Sequence, residues 1–207
     1  MSFTLTDARA DLDAQLATAV DAATWTSALK DEALRAALSA FSLLGPVYES
    51  TVTLAAGGAE QALAALIPGL LTVEALAWPW ADGLPLDAQA VAWRPAGAPG
   101  SVLIAGGGVP AAGDAARVRY RCAHTLNGLD GAAATTVPDA YRLTLAAGAA
   151  EAACGLRLRQ IGENPAIPAA AAAALEAARA RYARAFAEML ALLVARSPRP
   201  SWPGIGL

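Results

Sequence analysis

One histidine, one lysine and two cysteines among 207 residues leave little material for a catalytic or metal centre. Cys122 and Cys154 stand far apart, and neither has a CxxC partner. That excludes a disulfide framework and a zinc ribbon, and leaves two free thiols buried as small apolar groups as the simplest account. A lone His124 cannot supply a ligand cluster, and no DxDxDG calcium loop, GxSxG elbow or P-loop is present. We therefore expect no metal, no cofactor and no catalytic residues.

Charge is scarce as well. Charged residues make up 16% of the chain, the net charge is −3 and the pI is about 5.1. Such a balance exerts no general pull on nucleic acid. Long apolar runs are also missing, although the hydrophobic fraction is 56% and the mean hydropathy +0.41. Roughly a quarter of the residues are alanine, which raises hydropathy without conferring affinity for lipid. The longest candidate, 62–80, is broken by Pro68, Gly69 and Glu74 and falls short of the about 18–20 apolar residues that a spanning helix needs. The acidic start MSFTLTDARADLD does not read as a signal peptide. A soluble protein with no membrane contact is expected.

What is present falls into three textures. Residues 6–44 read as a helix pair. Thr6 is placed to cap a helix over 6–21 with Leu12, Leu16 and Val20 on one face. Ser27 is placed to cap a second over 27–44, with Asp31 and Glu32 near its positive end, a stripe of Leu34, Leu38 and Phe41, and Gly45-Pro46 as its stop. Residues 48–123 read as a small antiparallel sheet or partial barrel, with strands at 48–55, 71–78, 88–93, 101–105 and 116–123 and a helical turn within 57–67. In the last strand Val118, Tyr120 and Cys122 alternate with Arg117, Arg119 and Arg121, which puts the first set toward a core and the arginines on a solvated face. The alternative for that arginine strip is contact with an acidic partner or a channel that nucleic acid crosses. Residues 138–195 read as two alanine-rich helices. Pro138 suits the first helical position and Asp139 the first turn; Tyr141, Leu145, Ala149, Ala152 and Leu156 share a face. The run Ala146–Ala150, with Gly148 inside it, permits close approach of another backbone. Asn164-Pro165 ends that helix. The next runs from about Pro168 to Arg196, with Leu175, Tyr182 and Met189, and Arg179, Phe186 and Leu193, spaced by seven; Arg184 and Glu188 can pair across a turn. The fold class expected is α+β in a single domain, 1–195, followed by an extended proline-rich tail, 196–207.

Two stretches imitate functional motifs. Gly106 and Gly108 after a strand match the first half of GxGxxG, but position 111 is alanine and a strand follows where that fingerprint requires a helix, so a hairpin-like connection is the better reading. His124, Cys122 and Asp130 imitate a base, a nucleophile and an orienting acid. On one strand, Cys122 and His124 would be about 6–7 Å apart, too far for direct contact. Asn127-Gly128 and Asp130-Gly131 are turn dipeptides, so His124, Thr125 and Asn127 read as groups that shape a loop. Trp78, Trp80 and Trp93 read as core residues, with an interaction surface as the alternative. Trp202, in the tail between Ser201 and Pro203, reads as a group that docks on its own domain or on a neighbouring subunit.

The order of these parts, carried by Arg117-Val118-Arg119-Tyr120, His124–Asp130, Thr135-Thr136-Val137-Pro138 and the alanine-rich helix after them, resembles the head–tail connector (adaptor) proteins of tailed bacteriophages and prophages. The likeness covers roughly 48–195 in layout. The simplest adaptors are mostly helical, and the β part and the proline-rich tail depart from them. The resemblance implies a structural virion protein of the neck, assembled in the host cytoplasm. It implies a homo-oligomeric ring, often of twelve copies, that docks on the portal protein and presents a surface to tail or neck proteins, while DNA passes through the lumen without sequence-specific binding. The candidate interaction residues are His124, Asn127 and Asp130 in the loop and Pro200, Trp202 and Pro203 in the tail. Competing readings are another neck or tail-completion component, and a small enzyme or ligand-binding domain with its site in 123–137.

Overall fold

A computed structural model describes residues 3–16, 24–162 and 169–196 of the chain. The fold is α+β. Among the described residues, four helices, α1 (Leu5–Leu16), α2 (Ser27–Leu44), α3 (Arg142–Gly162) and α4 (Ala169–Arg196), precede and follow in chain order six strands: β1 (Tyr48–Thr53), β2 (Glu60–Ala62), β3 (Leu70–Ala77), β4 (Trp93–Pro95), β5 (Ser101–Ile104) and β6 (Ala115–Cys122). The chain divides into two compact units. A β unit runs from Pro46 to Ala123; a helical unit is built from the chain before it and from His124 to Leu193. Among the described residues no helix is long and apolar enough to cross a membrane. The tail with Pro200, Trp202 and Pro203, the expected continuation of the first helix to Val20, and the Asn164-Pro165 break lie outside the described residues.

In the helical unit the apolar stripes fall where their spacing puts them. Leu12, Leu34 and Phe41 have no exposed surface, and each stabilises the unit by about 1.5–3 kcal/mol relative to an exposed position. The caps differ by one or two residues from expectation. Thr4, not Thr6, starts α1: its N–H donates to Asp7 Oδ2 at 2.8 Å and the Asp7 N–H donates back to Thr4 Oγ1 at 3.4 Å, a reciprocal capping box. Thr26, not Ser27, caps α2 and accepts from the Leu29 N–H at 3.3 Å, because Thr26 keeps an extended backbone (φ −61°, ψ 154°) while Ser27 is already helical. Gly45 closes α2 by donating to the Phe41 carbonyl at 2.7 Å; a Cβ there would sit 2.3 Å from the same oxygen. Pro138 precedes a single 3-10 turn, Asp139–Tyr141, which leads into α3.

The alanine-rich helix is central. Thr144–Ala150 are all buried, so this segment of α3 has no solvent face. Ala149, Ala150, Ala153 and Cys154 share a core with Ala33 and Ala37 of α2. The gap over Gly148, however, is filled by a ring and not by a backbone. Phe186 of α4 lies so close that a Cβ on Gly148 would come within 2.9 Å of it. Two turns on, a Cβ on Gly155 would come within 3.4 Å of the Arg179 guanidinium. Positions 148 and 155 thus face 186 and 179, an antiparallel register between α3 and α4. Tyr182 donates its hydroxyl to the Gln15 carbonyl and fastens α4 to α1. Arg179, read above as part of a packing row, is an exposed partner of Glu151 at 2.8 Å, and the inward row is Leu175, Ala178, Tyr182, Phe186, Leu190 and Leu193. The anticipated Arg184–Glu188 pair is not among the ion pairs of the described residues.

The β unit has two three-stranded antiparallel sheets, ordered β1-β6-β3 and β2-β5-β4. Val118 pairs with Ser50 on one side and Leu76 on the other. Val52, Leu54, Leu63, Leu76, Trp78, Val102, Ile104 and Val118 form the core. Trp93 packs against that core from a half-buried position, whereas Trp80 lies under the Arg117 guanidinium, 5.7 Å from ring centroid to carbon. The strand expected at 88–93 is replaced by a 3-10 turn, Leu86–Ala88, with only Trp93–Pro95 extended. Pro85 leads into the turn, Leu86 is buried, and Gln89 clamps the Ala81 N–H and carbonyl at 2.9 Å each, which spends the segment's polar groups on a closed loop. The glycine-rich run after β5 is a crossover and not a hairpin, since β5 and β6 belong to different sheets. Asp114 Oδ2 ties it by accepting from Trp78 Nε1 at 3.0 Å and the Ala111 N–H at 2.8 Å.

Candidate functional site

The loop from His124 to Val137 holds three of the six residues singled out above. Most of its backbone and hydroxyl groups are bonded within the loop or to the helices beside it. The Thr125 N–H donates to Thr136 Oγ1 at 2.8 Å, and the Thr136 N–H returns to the Thr125 carbonyl at 3.0 Å. Asn127 donates its N–H to Thr135 Oγ1 at 3.0 Å and accepts from the Leu5 N–H at 2.9 Å, which pairs the loop with the start of α1. Thr135 in turn donates to the Phe3 carbonyl. Leu126, Leu129 and Val137 point into the helical core and act as apolar anchors. Two of these hydroxyls, on Thr135 and Thr136, have no signature in spacing; only the folded path of the loop gives them their partners.

His124 begins the loop. Its N–H donates to Ser42 Oγ at 2.9 Å, and its ring meets Phe41 edge-on at 5.1 Å between centroids. Nδ1 lies 3.2 Å from the Thr136 carbonyl, so the Nδ1–H tautomer donates there. Burial lowers the imidazole pKa below its ordinary value of 6.5, against the opposing effect of that hydrogen bond. The ring is therefore neutral at pH 7.

Asp130 faces the other way. It adopts φ 52°, between Gly128 at 91° and Gly131 at 76°, and accepts two-pronged hydrogen bonds from Arg35 at 2.7–2.9 Å. Both partners are about half exposed. The Arg35 guanidinium holds the Asp130 carboxyl below the usual carboxylate range. Arg35 and Ser42 are seven residues apart on α2, or about 10 Å along its axis, so Asp130 and His124 contact different places on that helix. Asp130 does not orient His124. Burial pushes the Cys122 thiol up, and the Cys154 thiol up to about 11, aided by Glu151. Neither sulfur is a thiolate at neutral pH.

The arginines of β6 form no solvated strip. Arg119 is buried, only 4% exposed, and binds Glu49 at 2.7 Å and Asp87 at 2.9 Å. Arg117 reaches Thr51 at 2.9 Å, and Arg121 reaches Glu74 at 3.0 Å. Each arginine thus has an acceptor inside the β unit. Cys122 and Tyr120, expected in the core, are only half-buried. Among the described residues no cluster of three or more His, Cys, Asp or Glu stands where it could hold a metal ion.

No protein-family model matches the chain, and no curated protein matches it.

Proposed function

We propose that the chain is a structural virion protein of a tailed phage or prophage, a head–tail connector that docks on the portal ring and joins it to the tail. The observation that carries this reading is the 124–137 loop. Its backbone and hydroxyl groups are bonded to one another and to α1 and α2, and Asp130 stands on its outer side paired with Arg35. A loop fixed before contact gives up little conformational freedom on docking, which suits a surface that joins two assemblies. The order of parts in the sequence supports the same reading: helix pair, β insertion, arginine-bearing strand, shaped loop, alanine-rich helices. On this reading the chain forms a ring with copies of itself in the virion neck, and DNA crosses the lumen without base readout.

Co-expression with the portal protein encoded in the same genome, followed by electron cryo-microscopy, tests it. A ring of this chain on the portal is expected, and Asp130→Arg should weaken its attachment. Density elsewhere in the tail would move the chain to another tail component. A monomer that ignores the portal and is missing from purified particles would overturn the proposal.

A further inference from the structure

The loop contains Asn127-Gly128, a dipeptide with a reaction of its own. In an open chain the Gly128 nitrogen, on losing its proton, attacks Cγ of Asn127. A C–N bond forms, the bond from Cγ to Nδ2 breaks, and ammonia leaves. The resulting five-membered imide takes up water at either carbonyl and opens to aspartate or to β-linked isoaspartate. Water is the only co-reactant. Glycine makes the attack easy because no Cβ shields its amide.

The fold obstructs each part of this path. The Gly128 N–H donates to the Ala132 carbonyl at 2.9 Å, so the attacking nitrogen is engaged. The Asn127 N–H is held by Thr135 Oγ1 at 3.0 Å and its carbonyl by the Leu5 N–H at 2.9 Å, which resists the backbone rotation that brings Cγ onto that nitrogen. Gly128 itself is exposed, and the Asn127 side-chain amide has no hydrogen-bond partner among the described residues, so water has access and nothing else restrains the leaving group. We propose that Asn127-Gly128 is a deamidation site that the folded loop holds shut and that reacts when the loop opens. The product matters to the fold. The aspartate product keeps the backbone groups that bridge Thr4, whereas the isoaspartate product lengthens the main chain at that residue and unfastens the loop from the start of α1. This inference stands apart from the connector reading and survives its failure.

The test incubates the full-length protein at neutral pH under native conditions, in urea above its unfolding midpoint, and as Thr135→Val, with conversion at residue 127 read by peptide mass mapping. Conversion in the native protein should be at least about tenfold slower than in urea, because the reaction must pass through locally opened states. Thr135→Val should fall between the two, with hydrogen exchange at the Gly128 amide faster by the same factor. Should that variant not fold, Arg35→Met releases Asp130 from the solvent side and takes its place. Native conversion at the urea rate would overturn the proposal, as would faster Gly128 exchange with unchanged conversion in either variant.

Discussion

Gly148 and Gly155 lie on one face of α3, two turns apart, and the same substitution should act on them with opposite sign. Alanine in place of glycine within a helix contributes about 1 kcal/mol from propensity alone. At Gly155 the new methyl would meet the Arg179 Nε at 3.4 Å, and that side chain is half exposed, so it can give by a few tenths of an ångström with its exposed pair to Glu151 kept. Gly155→Ala should therefore stabilise the protein by about 0.5–1 kcal/mol. At Gly148 the methyl would meet three atoms of the Phe186 ring at 2.9–3.1 Å. That half-buried ring packs against the helical core and must give way to the methyl, so overpacking costs about 1–3 kcal/mol and outweighs the propensity gain. Gly148→Ala should lose about 1 kcal/mol net, a fall in urea midpoint of about 0.3–1 M by helical circular dichroism. Adding Phe186→Leu should recover part of that loss in a double-mutant cycle. Equal stabilisation by both alanines would refute the antiparallel seating of Phe186 and Arg179 on the two glycines.

Three further outcomes follow from the same geometry. Arg119→Met leaves Glu49 and Asp87 without their shared buried cation and should cost about 3–5 kcal/mol, read as faster hydrogen exchange in β1, β3 and β6; protection unchanged there would contradict the role given to Arg119. His124 titrates below 6.5 in the fold, so its contribution to stability is full above pH 6.5 and is lost as pH falls through the lowered folded value. The chain's only histidine gives a single Hε1 signal in NMR, and a titration midpoint at or above 6.5 would reverse that sign. Alkylation at mildly alkaline pH should leave Cys154, pushed up to about 11, unlabelled in the native protein and labelled in urea, with Cys122 slowed to a lesser degree.

Much of the helical architecture is legible residue by residue. Leu12, Leu34, Leu38 and Phe41 recur at helical spacing and are buried, and Gly45-Pro46 ends α2 where it stands in the chain. Cap identity is less legible, because hydroxyl residues cluster at both starts and only the backbone decides which keeps an extended conformation, as Thr26 does beside Ser27. In β6 the alternation places Arg119 with Arg117 and Arg121, but period two says which side a residue takes and nothing of what covers it. Glu49 and Asp87, from β1 and the turn before β4, cover Arg119 and bury it. In the loop, the turn dipeptides Asn127-Gly128 and Asp130-Gly131 mark a shaped segment. The partners that hold the loop, Arg35 for Asp130, Ser42 for His124 and Phe3 for Thr135, lie 82 to 132 residues away in sequence, beyond the reach of any local pattern.

By itself, then, the order of residues determined the helix stripes, the β texture of 48–123, the small-residue character of α3 and the scarcity of reactive groups. Each of these depends on interactions within a few residues, or on composition alone. Only the tertiary structure decided that a ring and not a backbone fills the space over Gly148, that Arg119 is buried, and that Asp130 binds Arg35 and leaves His124 to Ser42 and Thr136. These pairings depend on which distant segments meet when the chain closes, and a buried charge or hydroxyl takes the partner that the closed chain brings to it.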